Sequence, residues 1–199
     1  MVLFFWGKVF PFLYKKKYLR GKWFQGKLKG LCSMGWQWIV KDAIGNFLLN
    51  TNKGVPWPVS PRTTVIFPEN IDFDPDDLNN FQGFGSYFQG FGKISIGKGT
   101  WIAGNVGIIT ANHTVKNLEL HDSPKPIIIG KKCWIGMNSV ILPGVVLGDN
   151  TIVGAGSIVT KSFPKGNCVV AGNPARIIKY IDENGRRYNE ATDFKQDKK

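Results

Sequence analysis

The chain has 199 residues, and its 26 Lys or Arg against 14 Asp or Glu give a formal net charge of +12. A hydrophobic content of 43% is enough for a globular core, and no apolar run approaches the ~18 residues of a membrane span. The three scattered cysteines, Cys32, Cys133 and Cys168, suit a reducing compartment better than a disulfide framework. We therefore expect a cytoplasmic protein with one main domain.

The chain from Met1 to Lys41 holds nine Lys or Arg and no acidic residue, and aromatic side chains alternate with the basic ones. One interpretation is a helical cap whose aromatics cover the end of the following domain or form an oligomer contact. Another is peripheral contact of residues 1–38 with an anionic membrane surface. Stacking on single-stranded nucleic acid is the least favoured interpretation, and we expect no nucleic-acid partner.

The next stretch, residues 54–68, contains four prolines and predicts an extended connector. Early irregular strands are expected around Ile66 and Ile71. Four acidic residues follow: Asp72, Asp74, Asp76 and Asp77. They lack the Gly and the terminal Glu of a calcium loop, so they predict a solvated turn.

A period of six dominates the chain from Ile96 to Pro164. Every hexad starts with Ile, Leu or Val, and Gly or Ala follows in six of the nine. This period fits neither one helix face nor an alternating strand. It predicts a solenoid in which each coil consists of three hexads and therefore has three short strands. The hexads start at Ile96, Ile102, Ile108, Ile129, Ile135, Ile141, Leu147, Val153 and Val159.

Two features flank this pattern. Counting back in sixes gives Gly90, Phe84 and Leu78, which predicts a degenerate earlier coil and about four coils in total. Near the C-terminus, Asn184-Gly185 lies between apolar or aromatic neighbours and predicts a hairpin.

The period is interrupted between Ile108 and Ile129, whose spacing is three hexads and three further positions. Compared with a coil of three hexads, this spacing predicts a register slip of three and a loop at residues 112–126. Insertions in repeat proteins tend to lie on the functional face. His113 and His121, the two histidines of the sequence, fall in or beside this loop.

The hexads, the Trp134-Ile135-Gly136 motif and the spacing from Ile96 to His113 resemble those of hexapeptide-repeat acetyltransferases, such as the maltose, galactoside and surface-polysaccharide O-acetyltransferases. The resemblance implies an all-β fold, a left-handed parallel β-helix, and a homotrimer with active sites between subunits. The expected divisions are an N-terminal segment and connector at 1–65, the β-helix at 66–181 and a C-terminal tail at 182–199.

By this resemblance, acetyl passes from acetyl-CoA to a sugar hydroxyl, in polysaccharide or glycolipid biosynthesis. His113 is expected to be the general base, because a neutral imidazole can accept the hydroxyl proton. A backbone carbonyl, Glu119 or Asp122 would fix its tautomer. His121 is either a loop residue or an acceptor contact. The expected acetyl-CoA contacts are Trp134, Met137, Ala155, Thr160, Lys161, Arg176 and Lys179.

The acceptor side departs from the family pattern. The family often has an F-x-A-N-x-N segment, whereas this chain has Phe88-Gln89-Gly90-Phe91-Gly92 and lacks the acceptor-binding Asn. Tyr87, Gln89 and Asn112 are the expected substrate contacts. An amino sugar, serine or antibiotic acceptor and a non-catalytic scaffold remain alternatives. No metal is expected, because two histidines cannot supply the three neutral ligands of a catalytic zinc site.

Overall fold

A computed structural model describes residues 10–25, 33–182 and 184–188, in which one α-helix, α1, spans Met34–Leu49. The strands are β1 Thr64–Ile66, β2 Ile71–Phe73, β3 Tyr87–Gln89, β4 Ile94–Ile96, β5 Trp101–Ile102, β6 Gly107–Ile109, β7 Ile127–Ile129, β8 Trp134–Ile135, β9 Val140–Ile141, β10 Val146–Leu147, β11 Ile152–Val153, β12 Ile158–Val159, β13 Cys168–Gly172, β14 Ala175–Ile181 and β15 Arg187–Tyr188. Short 3₁₀ segments span Phe10–Leu13, Lys16–Tyr18, Lys22–Phe24, Pro68–Asn70 and Pro75–Phe81.

The strands form three sheets, and the chain visits each sheet once per coil. The orders are β1-β3-β6-β9-β12 in sheet 1, β10-β7-β4-β2 in sheet 2 and β15-β14-β13-β11-β8-β5 in sheet 3. The pairing between coils is parallel, and Ile135 pairs with Val153 and Ile141 with Val159, each three hexads further along the chain. Four coils follow one another from β2 to β12. The chain is therefore a parallel β-helix, as the period of six predicts.

Stacked aliphatic side chains form the core of the β-helix. All nine residues that start the predicted hexads are buried, which confirms the predicted inward positions. The Gly after such a residue allows two coils to approach closely. A Cβ on Gly136, for example, would lie 2.6 Å from the backbone nitrogen of Ala155 in the next coil.

The loop does not shift the register of the coils, so the predicted slip of three is wrong. Ile108 in β6 pairs with Ile141 in β9, and the separation between them equals one coil of three hexads plus the length of the predicted loop at 112–126. The same separation joins Ile96 to Ile129 in sheet 2. An insertion as long as this loop, placed between β6 and β7, therefore leaves the stacking intact.

The first coil departs from counting in sixes. Phe84, predicted to point inward, is exposed, whereas Phe88 and Leu78 are fully buried. The separations from Val65 to Phe88 and from Phe88 to Ile108 are both longer than three hexads. Because such coils have extra residues in their turns, the period of six cannot locate their inward positions. Aromatic rings fill this end of the core: Trp57, Phe73, Phe81 and Phe88.

Residues 10–25 pack on the first coil, which confirms the cap interpretation for this part of the segment. Tyr18 is buried in the core and stacks on Phe73 with ring centroids 5.1 Å apart. Trp23 donates from Nε1 to the carbonyl of Asp76 at 2.7 Å. Residues 1–9 and 26–32, with Cys32, lie outside the described residues.

Asp76 and Asp77 of the acidic cluster hold this cap in place, so the prediction of a solvated turn is wrong for them, whereas Asp72 is exposed. Asp76 accepts from the backbone nitrogen of Lys22 at 2.8 Å, and Lys98 Nζ lies 3.4 Å from its other oxygen. Asp77 is buried and accepts from the backbone nitrogen of Gly99 at 2.7 Å. The Lys22 contacts hold the pKa of Asp76 below its usual range, chiefly through the backbone hydrogen bond.

The chain ends the β-helix by reversing direction. Strand β14 pairs antiparallel with β13 and with β15, so the predicted hairpin is confirmed. Cys133 and Cys168 are buried free thiols, and burial raises the pKa of both. In the described ranges, no helix has the length and apolar character needed to cross a bilayer.

A buried carboxyl group joins α1 to the first coil. Asp42 is 0% exposed, and Gln82 Nε2 donates to its Oδ2 at 2.8 Å, while its Oδ1 has no hydrogen-bond partner in the described structure. Burial raises the pKa of Asp42 from 3.8 to about 6, against smaller opposing effects of Gln82 and Lys41. The folded protein therefore holds this proton more tightly than the unfolded chain does. The free energy of unfolding loses this contribution as pH rises from about 4 to about 6.

Replacing this buried charge should stabilise the protein. We expect Asp42→Asn to raise the free energy of unfolding at pH 8 by about 1–3 kcal/mol, because the amide oxygen still accepts from Gln82 and no charge is buried. Denaturant titrations at pH 5 and pH 8 measure the effect, which should be smaller at pH 5. The exposed carboxyl change Asp72→Asn is the control. A fall in stability at pH 8 beyond that of the control would contradict the assignment.

Candidate active site

The expelled loop at 112–126 is a hairpin with the two histidines opposite each other. His113 and His121 form an antiparallel bridge, and a hydrogen bond lies on each side of it. Thr114 N donates to the Leu120 carbonyl at 2.9 Å, and Asp122 N donates to the Asn112 carbonyl at 2.8 Å. Because directly opposite side chains of an antiparallel pair lie on one face, this pairing brings the two imidazoles together.

His113 has a defined tautomer. Its Nδ1 lies 2.6 Å from the carbonyl oxygen of Leu118, which belongs to the same loop. A carbonyl oxygen can only accept, so the proton of the neutral ring is on Nδ1 and the lone pair is on Nε2. Of the orienting groups that the sequence allows, the geometry selects a backbone carbonyl rather than Glu119 or Asp122. His113 is an exposed residue, and Nε2 is the ring nitrogen that remains to accept a proton.

An aromatic row extends from His113 across the loop to the coils. We use this name for His113, His121, Phe91 and Phe67. Successive ring centroids are 4.2, 4.8 and 5.0 Å apart. Tilted ring pairs at these separations attract each other by about 0.5–1.5 kcal/mol beyond their area burial. The row therefore restrains the plane of the His113 ring, while Leu118 restrains its rotation.

Gln89 anchors the base of the loop. Its side chain is 8% exposed, and its Oε1 accepts from the backbone nitrogens of Thr110 at 3.1 Å and Ala111 at 3.0 Å. Thr110 Oγ1 donates to the Gln89 carbonyl at 2.6 Å, and Lys125 N donates to the Thr110 carbonyl at 2.8 Å. These bonds fix the residues just before His113 and the point where the chain returns to the coil.

A cleft of about 490 Å³ lies beside the base of the loop. Asn112 and Thr160, which the sequence assigns to acceptor and donor, line it together. The lining residues are Ala111, Asn112, Asp122, Ser123, Lys125, Leu142, Pro143 and Thr160. Lys161 follows Thr160 and is exposed, and Tyr87 begins β3, the strand that ends at Gln89.

The other expected donor contacts lie on a second edge. Trp134 begins β8 and is 52% exposed, and Met137 follows in the turn that leads to β9. Ala155 occupies the same turn one coil later, where Gly156 N donates to the Met137 carbonyl at 2.8 Å. Exposed Arg176 and Lys179 belong to β14, at the C-terminal end of sheet 3.

Sheet 1 separates these two edges within one chain. Met137 precedes strand β9 and Leu142 of the cleft follows it, so the extended chain places them up to about 16 Å apart. Strand β9 therefore lies between the turn at Met137 and the cleft residue Leu142 within one subunit. Across the described part of the chain, no group of three or more potential metal ligands occurs.

Some groups of the site could not be predicted, because no sequence pattern marks them. The Leu118 carbonyl is a backbone group that any residue offers, so only the loop conformation reveals it. Phe91 and Phe67 are visible as aromatics, but their link to His121 depends on where the loop folds back. The same holds for three residues of the cleft, Lys125, Ser123 and Asp122, whose positions also depend on where the loop folds back.

Comparison with known proteins agrees with the fold. Residues 126–161 match the family model described as "Bacterial transferase hexapeptide (six repeats)". Galactoside O-acetyltransferase of Escherichia coli (strain K12) is 44% identical over 100 residues, or 48% of each chain. WbbJ of the same organism, whose name assigns it to the O-acetyl transferases of lipopolysaccharide biosynthesis, is 30% identical over 168 residues. That alignment covers 77% of this chain and 81% of WbbJ.

A solved structure shows the same fold. The hexapeptide-repeat containing acetyltransferase VCA0836 from Vibrio cholerae superposes with a TM-score of 0.50 at 23% identity, covering 71% of this chain and 79% of that chain. This chain spans about half the length of galactoside O-acetyltransferase but most of WbbJ. The solenoid and its inserted loop define a hexapeptide-repeat transferase. The chain belongs to the hexapeptide-repeat acetyltransferase family.

Removing the Gln89 oxygen tests the anchor of the loop. We expect Gln89→Leu to lower the free energy of unfolding by about 1–3 kcal/mol, because two buried N–H groups lose their acceptor. The conservative control Gln89→Glu keeps an acceptor at this position and should lose less. Thermal and denaturant unfolding of the three proteins measure the difference. Equal stability of Gln89→Leu and the wild type would show that these bonds do not hold the loop.

Proposed function

We propose that the chain is an O-acetyltransferase that moves acetyl from acetyl-CoA to a hydroxyl of a sugar, in polysaccharide or glycolipid biosynthesis. One observation carries the proposal: the exposed His113 ring donates from Nδ1 to the Leu118 carbonyl, which leaves Nε2 as the nitrogen that can accept a proton. The name of WbbJ supports the pathway class. An acceptor panel with acetyl-CoA, read as released thiol, tests the proposal; no release with any sugar would favour a non-catalytic scaffold.

In this mechanism, His113 moves one proton. Nε2 accepts the proton of the sugar hydroxyl as the hydroxyl oxygen attacks the acetyl carbon. The Leu118 carbonyl stabilises the imidazolium through Nδ1–H. The proton then passes from Nε2 to the sulfur that leaves, so the ring returns to its starting tautomer. The buried thiols with raised pKa are poor nucleophiles, which favours direct transfer over a covalent enzyme intermediate.

The second edge has side chains that suit the donor. Acetyl-CoA would supply the acetyl group as a thioester. Exposed Trp134 and Met137 offer apolar surface for its pantetheine arm, and the small side chain of Ala155 leaves room along the turn. Thr160 and Lys161 would meet the donor from the cleft edge instead, and Arg176 with Lys179 would bind the nucleotide phosphates. A cytoplasmic location suits this donor.

We propose that Asn112, which lines the cleft, and Tyr87, which begins β3 outside the cleft lining, bind sugar hydroxyls. Gln89 is better assigned to positioning, since its Oε1 is already engaged by Thr110 and Ala111. The acceptor-binding Asn that the family pattern expects is absent from this chain.

Assembly and handedness belong to the same proposal. We propose a left-handed β-helix at 66–181, between a capping segment and connector at 1–65 and a tail at 182–199. A homotrimer would join the cleft of one subunit to the Trp134 edge of the next. The separation of these edges by sheet 1 supports this arrangement.

Solution mass tests the assembly. We expect light scattering to give about three times the 22.2 kDa of one chain, because the site is incomplete in a single subunit. Activity should fall on dilution together with the trimer. An active monomer of 22.2 kDa would contradict both the trimer and a site between subunits.

Substitution of His113 tests the general base. We expect His113→Ala to lower turnover by roughly 10²–10⁴, the usual loss for a general base, with little change in the KM for acetyl-CoA. His121→Ala should be much milder, and His121→Phe should restore part of the loss by keeping a ring in the aromatic row. Near-normal turnover of His113→Ala would exclude the assignment. A lost melting transition would instead make His113 a structural residue.

A further inference from the structure

An exposed apolar surface lies where the N-terminal segment meets α1. We call it the apolar patch: Phe12, Leu13, Ile44, Phe47 and Leu48. All five side chains are exposed, Phe12 to 89% and Phe47 to 84%. The first 3₁₀ segment packs against α1, and a groove of about 460 Å³ runs between them with Leu13 and Phe47 among its lining residues. Large apolar side chains exposed together mark a contact surface rather than chance exposure.

The elements that carry the apolar patch also carry an excess of positive charge. Within residues 10–25 and 33–68, the one acidic residue is Asp42, which is buried. The exposed basic residues on these elements include Lys15, Lys16, Lys17, Arg20, Lys41 and Lys53. Three of them closely follow Phe12 and Leu13 in sequence, and Lys53 lines the same groove as Phe47. Exposed apolar and basic side chains therefore occur together on these elements, and Leu13, Phe47 and Lys53 line one groove.

We propose that the apolar patch docks on an anionic lipid bilayer, with its side chains at the boundary between headgroups and acyl chains. Phe and Leu suit this depth, while lysines at the edge contact lipid phosphates. Self-association through the same patch would bring the lysines of two copies together, which like-charge repulsion opposes. One interpretation of the sequence places membrane contact at residues 1–38. The apolar patch also includes the second half of α1, and its docking does not depend on the proposed acetyltransferase activity.

This surface would hold the enzyme beside a lipid-linked acceptor. The cap lies at the start of the β-helix, so docking leaves the later coils and the expelled loop clear of the cap. The electrostatic contribution to membrane binding is large. Each lysine near an anionic surface raises the partition coefficient roughly fivefold, so three lysines together contribute about a hundredfold.

Vesicle flotation of the full chain tests the proposal. One set of vesicles is phosphatidylcholine alone, and the other contains about one third phosphatidylglycerol. We expect binding to the anionic vesicles, and loss of binding as salt rises from about 0.1 to about 1 M, where the Debye length falls from about 10 to about 3 Å. Phe47→Ser with Leu48→Ser should weaken binding roughly tenfold or more, because two apolar anchors are lost.

Matched variants separate the patch from net charge. Changing Lys15, Lys16 and Lys17 together to Gln should weaken binding about a hundredfold. The same change at Lys131, Lys132 and Lys165, three exposed lysines of the coils, should have a small effect. Phe84→Ser, at an exposed Phe of the first coil, is the apolar control. Melting transitions of all variants confirm that they are folded.

Several outcomes would overturn the proposal. These are no binding to either vesicle, equal binding to both, equal losses from the two lysine triples, or an effect of Phe84→Ser as large as that of the patch variant. A patch variant that instead changes the oligomer mass without changing vesicle binding would assign the surface to contact between copies. These readouts use no acetyl-CoA, so they stand whatever the acetyltransferase assay gives.

Discussion

Stacking of one aliphatic side chain on its counterpart in the next coil is the constraint on which this structure depends. Each hexad buries an Ile, Leu or Val at its first position and few other large side chains, so a coil has little core of its own and stability comes from neighbours. The same stacking brings the backbones of two coils close together at Gly136, where a Cβ would not fit. Anything added to the chain must therefore leave the stacked positions where they are.

The expelled loop satisfies this constraint by its length and its exit point. It is inserted between β6 and β7, and Ile108 still pairs with Ile141. Gln89 and Thr110 hold the exit point on the rigid sheet, so a surface loop acquires a fixed base. The hairpin then supplies both groups that define His113, the Leu118 carbonyl and the His121 ring. A repetitive scaffold thus gains a single non-repeated site without losing packing.

The sequence predicts the regular coils well because burial at one position in six is visible in residue type. It predicts the loop and the place of His113 for the same reason, since the loop is where the period stops. It fails at Phe84 because the first coils are longer than three hexads, which breaks the period. It also fails at the acidic cluster. Asp76 is held by Lys22, which is distant in sequence, and such a contact leaves no local pattern.

The central claim is the tautomer of His113, because the proposed base needs its lone pair on Nε2. The direct measurement is the pair of imidazole ¹⁵N chemical shifts of His113, recorded by long-range ¹H–¹⁵N correlation on labelled protein at a pH where the ring is neutral. His121→Phe can be used to assign the signals. The account predicts a protonated Nδ1 and an unprotonated Nε2. A proton on Nε2 would contradict the hydrogen bond to Leu118 and, with it, the assignment of His113 as the base.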